Sequence, residues 1–137
     1  MARVASRSAG RSGLVALLTA IGVVATVEGV RGVVQGTRQV PGGGGAPATV
    51  DSEYRFYSAW YAVLGVLLLG AARRPEQEAR LVRAAAGGFL TAAAGRLLSI
   101  RTAGPPSAPQ RALLAVEVVL PPVLVGWQAR VARAARR

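Results

Sequence analysis

The chain has 137 residues, enough for one domain, and combines 52% hydrophobic residues with a formal net charge of +11. All 17 basic side chains are arginine, cysteine and histidine are absent, and Met1 is the only methionine. That excludes disulfides, Cys or His metal sites, haem ligation by these side chains, thiol nucleophiles and Ser-His triads.

Apolar stretches separated by basic loops produce this composition, which is the pattern of a membrane protein. The arginines stand at the ends of apolar runs and not on a soluble, aromatic-bearing face, so nucleic acid is not an expected partner. Residues 1–12 are polar and basic, with Arg3, Arg7 and Arg11. From Gly13 to Val27 there is no charge, and the apolar pattern continues past Glu28 to Val33. A helix over 13–33 is about 30 Å long, the thickness of the hydrocarbon core. A cleaved signal peptide is the alternative, but Val23-Val24-Ala25 is a poor small-x-small cleavage site.

Residues 34–50 read as a flexible Gly-rich outer loop, because Pro41-Gly42-Gly43-Gly44-Gly45-Ala46-Pro47 disfavours regular structure. Asp51-Ser52-Glu53 is expected to cap a second helix over 52–72 and to supply its first-turn acids. Tyr54, Phe56, Tyr57, Trp60 and Tyr61 crowd its first two turns, as in an interfacial aromatic belt. Pro75-Glu76-Gln77-Glu78 is a short turn, so the third helix (79–100) should be an antiparallel neighbour. Gly104-Pro105-Pro106-Ser107 breaks the chain again. The fourth helix covers 109–131, with Glu117 inside it and Pro121-Pro122 expected to kink its middle.

The fold expected is all-α: a single domain, residues 1–137, forming an antiparallel bundle of four transmembrane helices. Eleven arginines fall on one face (Arg3, Arg7, Arg11, Arg73, Arg74, Arg80, Arg83, Arg130, Arg133, Arg136 and Arg137) and six on the other. The positive-inside rule then puts both termini in the cytoplasm of a multi-pass protein in the plasma (inner) membrane. The basic C-terminal tail is expected to lie along anionic lipid. Exclusive use of arginine fits the codon bias of a GC-rich bacterium.

The third and fourth segments reach spanning length only if Arg96 and Glu117 lie within the bilayer. A charge at a helix centre costs about 2.5–3.5 kcal/mol on insertion scales, so such groups should pair or stay near the interface. By depth, Glu28, Arg55, Tyr57, Arg96, Ser99 and Glu117 share the outer third of the membrane. Together they form the candidate ligand-binding polar cluster, with two carboxylates matched by two guanidiniums. On the third helix, Ala84, Gly88 and Ala92 make a small-residue ridge that continues to Arg96, with Gly87, Thr91 and Gly95 beside it. Such ridges favour close helix packing, which would turn Arg96 inward. The cluster has two readings: a grip on an anionic head group, or an ion-pair network that sets helix register.

From Asp51 onward the sequence resembles a bacterial family, domain of unknown function 4345. The matching pieces are Asp51-Ser52-Glu53-Tyr54-Arg55-Phe56-Tyr57, Gly65 with the run to Arg73-Arg74-Pro75, Gly95-Arg96-Leu97-Leu98-Ser99, Gly104-Pro105-Pro106, and Glu117 before the proline pair. Gly29 and Gly32 extend the resemblance into the first helix. It implies a four-helix membrane protein and assigns no activity.

The function expected is a binding or accessory bundle for an amphipathic small molecule, not an enzyme, with membrane lipids as partners and no cofactor or metal. A homo-oligomer or a larger membrane complex is left open. The alternative is a small proton-coupled transporter of amphipathic molecules, against which Glu28 lies close to the outer end of its helix. An enzyme would have to use Glu28 or Glu117 as acid or base. Ser99 beside Arg96 would be the least poor nucleophile.

Overall fold

Glycine and proline set the breaks between helices. The computed structural model describes the backbone of residues 2–136 and the side chains of residues 8–136. Arg3, Arg7 and Arg137, counted above for orientation, lie outside the described side chains. The described residues form helices joined by short non-helical links, with no strand. They form α1 (Ala2–Gln35), two 3-10 turns (Gly36–Gln39 and Gly43–Gly45), α2 (Ala48–Arg73), α3 (Ala79–Ala103) and α4 (Ala108–Ala135). All four α-helices are long and apolar enough to cross a membrane.

α1 stops where Gly36 takes φ +62°, and α3 stops where Gly104 takes φ +91°. A residue with a Cβ rarely adopts either conformation. Pro109 occupies the first turn of α4, where its missing N–H has no helical partner to lose. The second helix begins at Ala48, ahead of the expected cap. The Asp51 N–H bonds the Pro47 carbonyl at 3.1 Å, so the first turn is already closed when the chain reaches Asp51. That frees the Asp51 carboxylate for a different task, described below.

The chain divides into two units. One is Val15–Arg73, where α1 and α2 meet through glycines. A Cβ on Gly29 would lie 2.7 Å from both Ala62 Cα and the Ser58 carbonyl oxygen, and one on Gly65 would lie 2.7 Å from the Gly22 carbonyl oxygen. Only hydrogen at these positions permits backbone-to-backbone approach. Leu18, Ala25, Leu68 and Ala71 are buried in this unit.

The other unit comprises Met1–Leu14 and Arg74–Arg137. The buried residues of α4 are Glu117, Pro121, Leu124, Gln128 and Val131. They alternate in steps of four and three, the spacing of a helix seam. α3 contributes Val82, Ala85, Ala86, Phe89 and Ala93. Two polar contacts to the turn before α3 fasten the end of this unit. Buried Gln128 donates from Nε2 to the Pro75 carbonyl at 3.1 Å. Arg11 pairs with Glu76 at 3.3 Å.

The small-residue ridge of α3 points the other way from expectation. Ala84, Gly88 and Ala92 are exposed. A Cβ added at Gly87, Gly88 or Gly95 would meet nothing within 4 Å. The packing face is instead the stripe through Ala85, Phe89 and Ala93, and Arg96 follows three residues later. Both faces of α3 carry small residues; the bulk of Phe89 distinguishes the one that is filled. α4 continues as α-helix through Pro121 and Pro122.

Candidate ion-pair and binding sites

Within the α3–α4 unit, Glu117 opens the buried stripe of α4 and Arg96 follows Ala93 on the packing face of α3. About seven residues separate Arg96 from the end of its helix and nine separate Glu117 from the start of the next, roughly 10–14 Å in each case. Equal depth brings them together. Arg96 Nε donates to both oxygens of Glu117, at 3.0 and 2.8 Å. Arg96 Nη1 donates to the Gln110 side-chain oxygen. The Glu117 side chain is 11% exposed and that of Arg96 is 34% exposed. The Glu117 carboxylate is therefore largely enclosed, whereas a third of the Arg96 side chain is exposed.

Within the α1–α2 unit, Arg55 Nε donates to Asp51 at 2.7 Å. Arg55 Nη1 reaches the carbonyls of Val33 and Val34, at 2.5 and 3.0 Å. These are among the last carbonyls of α1, which have no partner further along their helix. A cation there satisfies them and opposes the negative end of the helix dipole. Asp51 in turn accepts the Thr37 N–H at 2.8 Å and the Thr37 hydroxyl at 3.0 Å. Asp51 and Arg55 thus form a clasp from the first turns of α2 onto the end of α1.

Glu28 is held by two donors of its own unit. Arg31 Nη1 lies 2.9 Å from Oε1, and Gln39 Nε2 lies 2.6 Å from Oε2. The Gln39 side-chain oxygen is buried without a hydrogen-bond partner among the described residues. Tyr57 is 64% exposed. Its ring meets Phe56 edge-on at 5.4 Å, and Phe56 meets Trp60 at 6.4 Å, which makes an outward aromatic strip. Ser99 is exposed on α3, and its backbone carbonyl accepts the Thr102 hydroxyl at 3.4 Å.

The structure thus brings Arg96 and Glu117 together, gives Arg55 to Asp51, and gives Glu28 to Arg31 and Gln39. Arg31, Thr37, Gln39 and Gln110 were not singled out in the sequence, and Asp51 was read only as a cap. The four-residue spacing of Asp51 and Arg55 was a usable signal for their pairing. Gln110 stands two turns ahead of Glu117, on the same side of α4. Gln39 lies in an irregular segment where no periodicity marks it. Among the described residues no three carboxylates converge to hold a metal ion.

Compared with known families, residues 14–128 match the model described as Domain of unknown function (DUF4345). No curated protein and no solved structure matches the chain.

Proposed function

Because the chain belongs to the domain of unknown function 4345 family, whose description assigns no activity, we propose a function from the groups themselves: a non-enzymatic plasma-membrane bundle of a bacterium that binds an anionic amphipathic molecule from the outer side. In this reading both termini are cytoplasmic, and Arg96 is the principal ligand contact. The observation that carries it is the partly exposed Arg96 side chain, whose Nη2 has no protein partner among the described residues. Nε and Nη1 are committed to Glu117 and Gln110. A purely structural ion pair gains nothing from leaving a third of the arginine exposed in an apolar surrounding, where an unsatisfied donor is costly. An anionic head group satisfies that donor, and the aliphatic remainder of the ligand finds apolar helix surface beside it.

Native mass spectrometry of the chain purified in a mild detergent tests this. The expected result is a retained non-protein mass whose occupancy falls at least tenfold in Arg96→Gln while helicity is kept. Equal occupancy in wild type and Arg96→Gln overturns the assignment of Arg96. Recovery of the wild type without any bound mass overturns the binding function.

A further inference from the structure

The second half of α4 flanks an open cleft of about 640 Å³, within the range that takes a molecule of drug or lipid-chain size. It lies within the unit that contains α3, α4 and the start of α1. Its walls come from Pro122, Gly126, Trp127, Arg130 and Val131 of α4 and from Gly10 of α1.

The cleft is kept open by two features. Gly126 has no side chain, and a Cβ there would meet nothing within 4 Å. Trp127 is pinned: its indole N–H donates to the Gly10 carbonyl at 2.9 Å. Its six-membered ring lies against Gly13, where a Cβ would come within 2.7 Å of Cζ2. With the indole N–H committed, the ring offers the cleft only hydrocarbon.

Polarity changes along the cleft. Pro122, Gly126 and Arg130 stand at four-residue intervals, so they lie along one line of α4 about 12 Å long. The line is apolar for two turns and ends in a guanidinium. Arg130 is exposed and forms no ion pair among the described residues. Arg133 and Arg136 follow it, and no acidic residue occurs after Glu117. Of the two carboxylates of the adjoining turn, Glu76 is engaged by Arg11 and Glu78 forms no ion pair with Arg130. A second copy of the chain would set these cations against their own duplicates, which is repulsive. A tryptophan beside an arginine at a helix end matches the boundary between hydrocarbon and head groups.

We infer that this cleft is a binding site for one anionic phospholipid, with an acyl chain against Trp127, Gly126 and Pro122 and the phosphate on Arg130. This goes beyond the Arg96 reading and shares no residue with it.

The chain has two tryptophans, so Trp60→Phe leaves Trp127 as the only indole. The full-length Trp60→Phe protein is reconstituted into vesicles in which either the phosphatidylglycerol or the phosphatidylcholine carries brominated acyl chains. Bromine quenches indole only on contact. Brominated phosphatidylglycerol is expected to occupy the site about fivefold more than brominated phosphatidylcholine at equal mole fraction, the effect of ~1 kcal/mol per arginine beside anionic lipid. Arg130→Gln removes the preference, and Gly126→Leu lowers quenching by both lipids, because it fills the cleft. Arg83→Gln, an exposed arginine on α3 outside the cleft, keeps the preference. Equal quenching by the two lipids in the parent overturns the proposal. So does an equal loss in Arg83→Gln and Arg130→Gln, which marks diffuse attraction instead of a site.

Discussion

Arg96 Nε sits 2.8 Å from Glu117 Oε2 and joins the packing faces of α3 and α4. Removing one partner strands the other charge among apolar neighbours. Breaking a fully buried pair costs roughly 3–5 kcal/mol; the arginine here is a third exposed, so about 1–3 kcal/mol is expected. Arg96→Ala should therefore melt earlier in detergent than the wild type. Adding Glu117→Gln should recover part of that loss, because it removes the stranded carboxylate charge. Equal melting of wild type and Arg96→Ala would show that the pair contributes nothing to stability.

The glycines of α1 and α2 divide into those that touch a neighbour and those that do not. Gly29→Leu drives its side chain into the Ala62 and Ser58 backbone and should prevent folding or cost several kcal/mol. Gly70 faces open space, and Gly70→Ala should be neutral or slightly stabilising, since alanine is the better helix former by up to about 1 kcal/mol. Expression and melting temperature of the two variants check the contrast. Similar behaviour would mean that α1 and α2 do not meet at Gly29.

Length and hydropathy made the first two spans legible in the sequence, the last two were legible only on condition that Arg96 and Glu117 lie within the bilayer, and the breaks were legible because glycine and proline act locally. Depth, a one-dimensional quantity, put Arg96 and Glu117 at one level together with Glu28 and Arg55 but did not say which of them would pair. Direction around a helix was harder. On α3 the ridge of Ala84, Gly88 and Ala92 was as regular as the stripe that is actually buried, and small residues pack well on either face. Asp51 was read as a cap because the turn that begins at Pro47 was not recognised. The link from Asp51 to Thr37, across 14 residues of irregular chain, obeys no period that a sequence displays.

Arg55 and Asp51 hold the end of α1, so their loss should loosen that end without melting the helices. Arg55→Gln removes donors from the Val33 and Val34 carbonyls, and Asp51→Asn removes the charge that orients Arg55. Amide hydrogen exchange at residues 36–40 should accelerate at least tenfold in either variant. Exchange within α4 should be unchanged. Unaltered exchange at Thr37 in Asp51→Asn would count against the clasp.

Gln128 is 2% exposed, and its amide is the donor to the Pro75 carbonyl. Gln128→Ala leaves that carbonyl without this donor and opens a void, which should cost about 1–3 kcal/mol. Gln128→Glu is the more severe test, because a carboxylate cannot donate and brings an unpaired charge. Its melting temperature should fall below that of Gln128→Ala. The reverse order would mean that the side chain is not donating to Pro75.

The absence of cysteine allows the proposed orientation to be tested without a background. Gly44 has open space around its Cα, so Gly44→Cys should be tolerated. Ala135 is exposed at the last residue of α4. Eleven of the arginines flank the side that the positive-inside rule assigns to the cytoplasm, and Ala135 belongs to that side. A membrane-impermeant maleimide should label Gly44→Cys on intact cells, and Ala135→Cys only after permeabilisation. The opposite pattern would invert the protein and move Arg96 to the inner face. Labelling of both positions on intact cells would mean an even number of crossings between them, whereas three crossings separate Gly44 from Ala135 if α2, α3 and α4 all span.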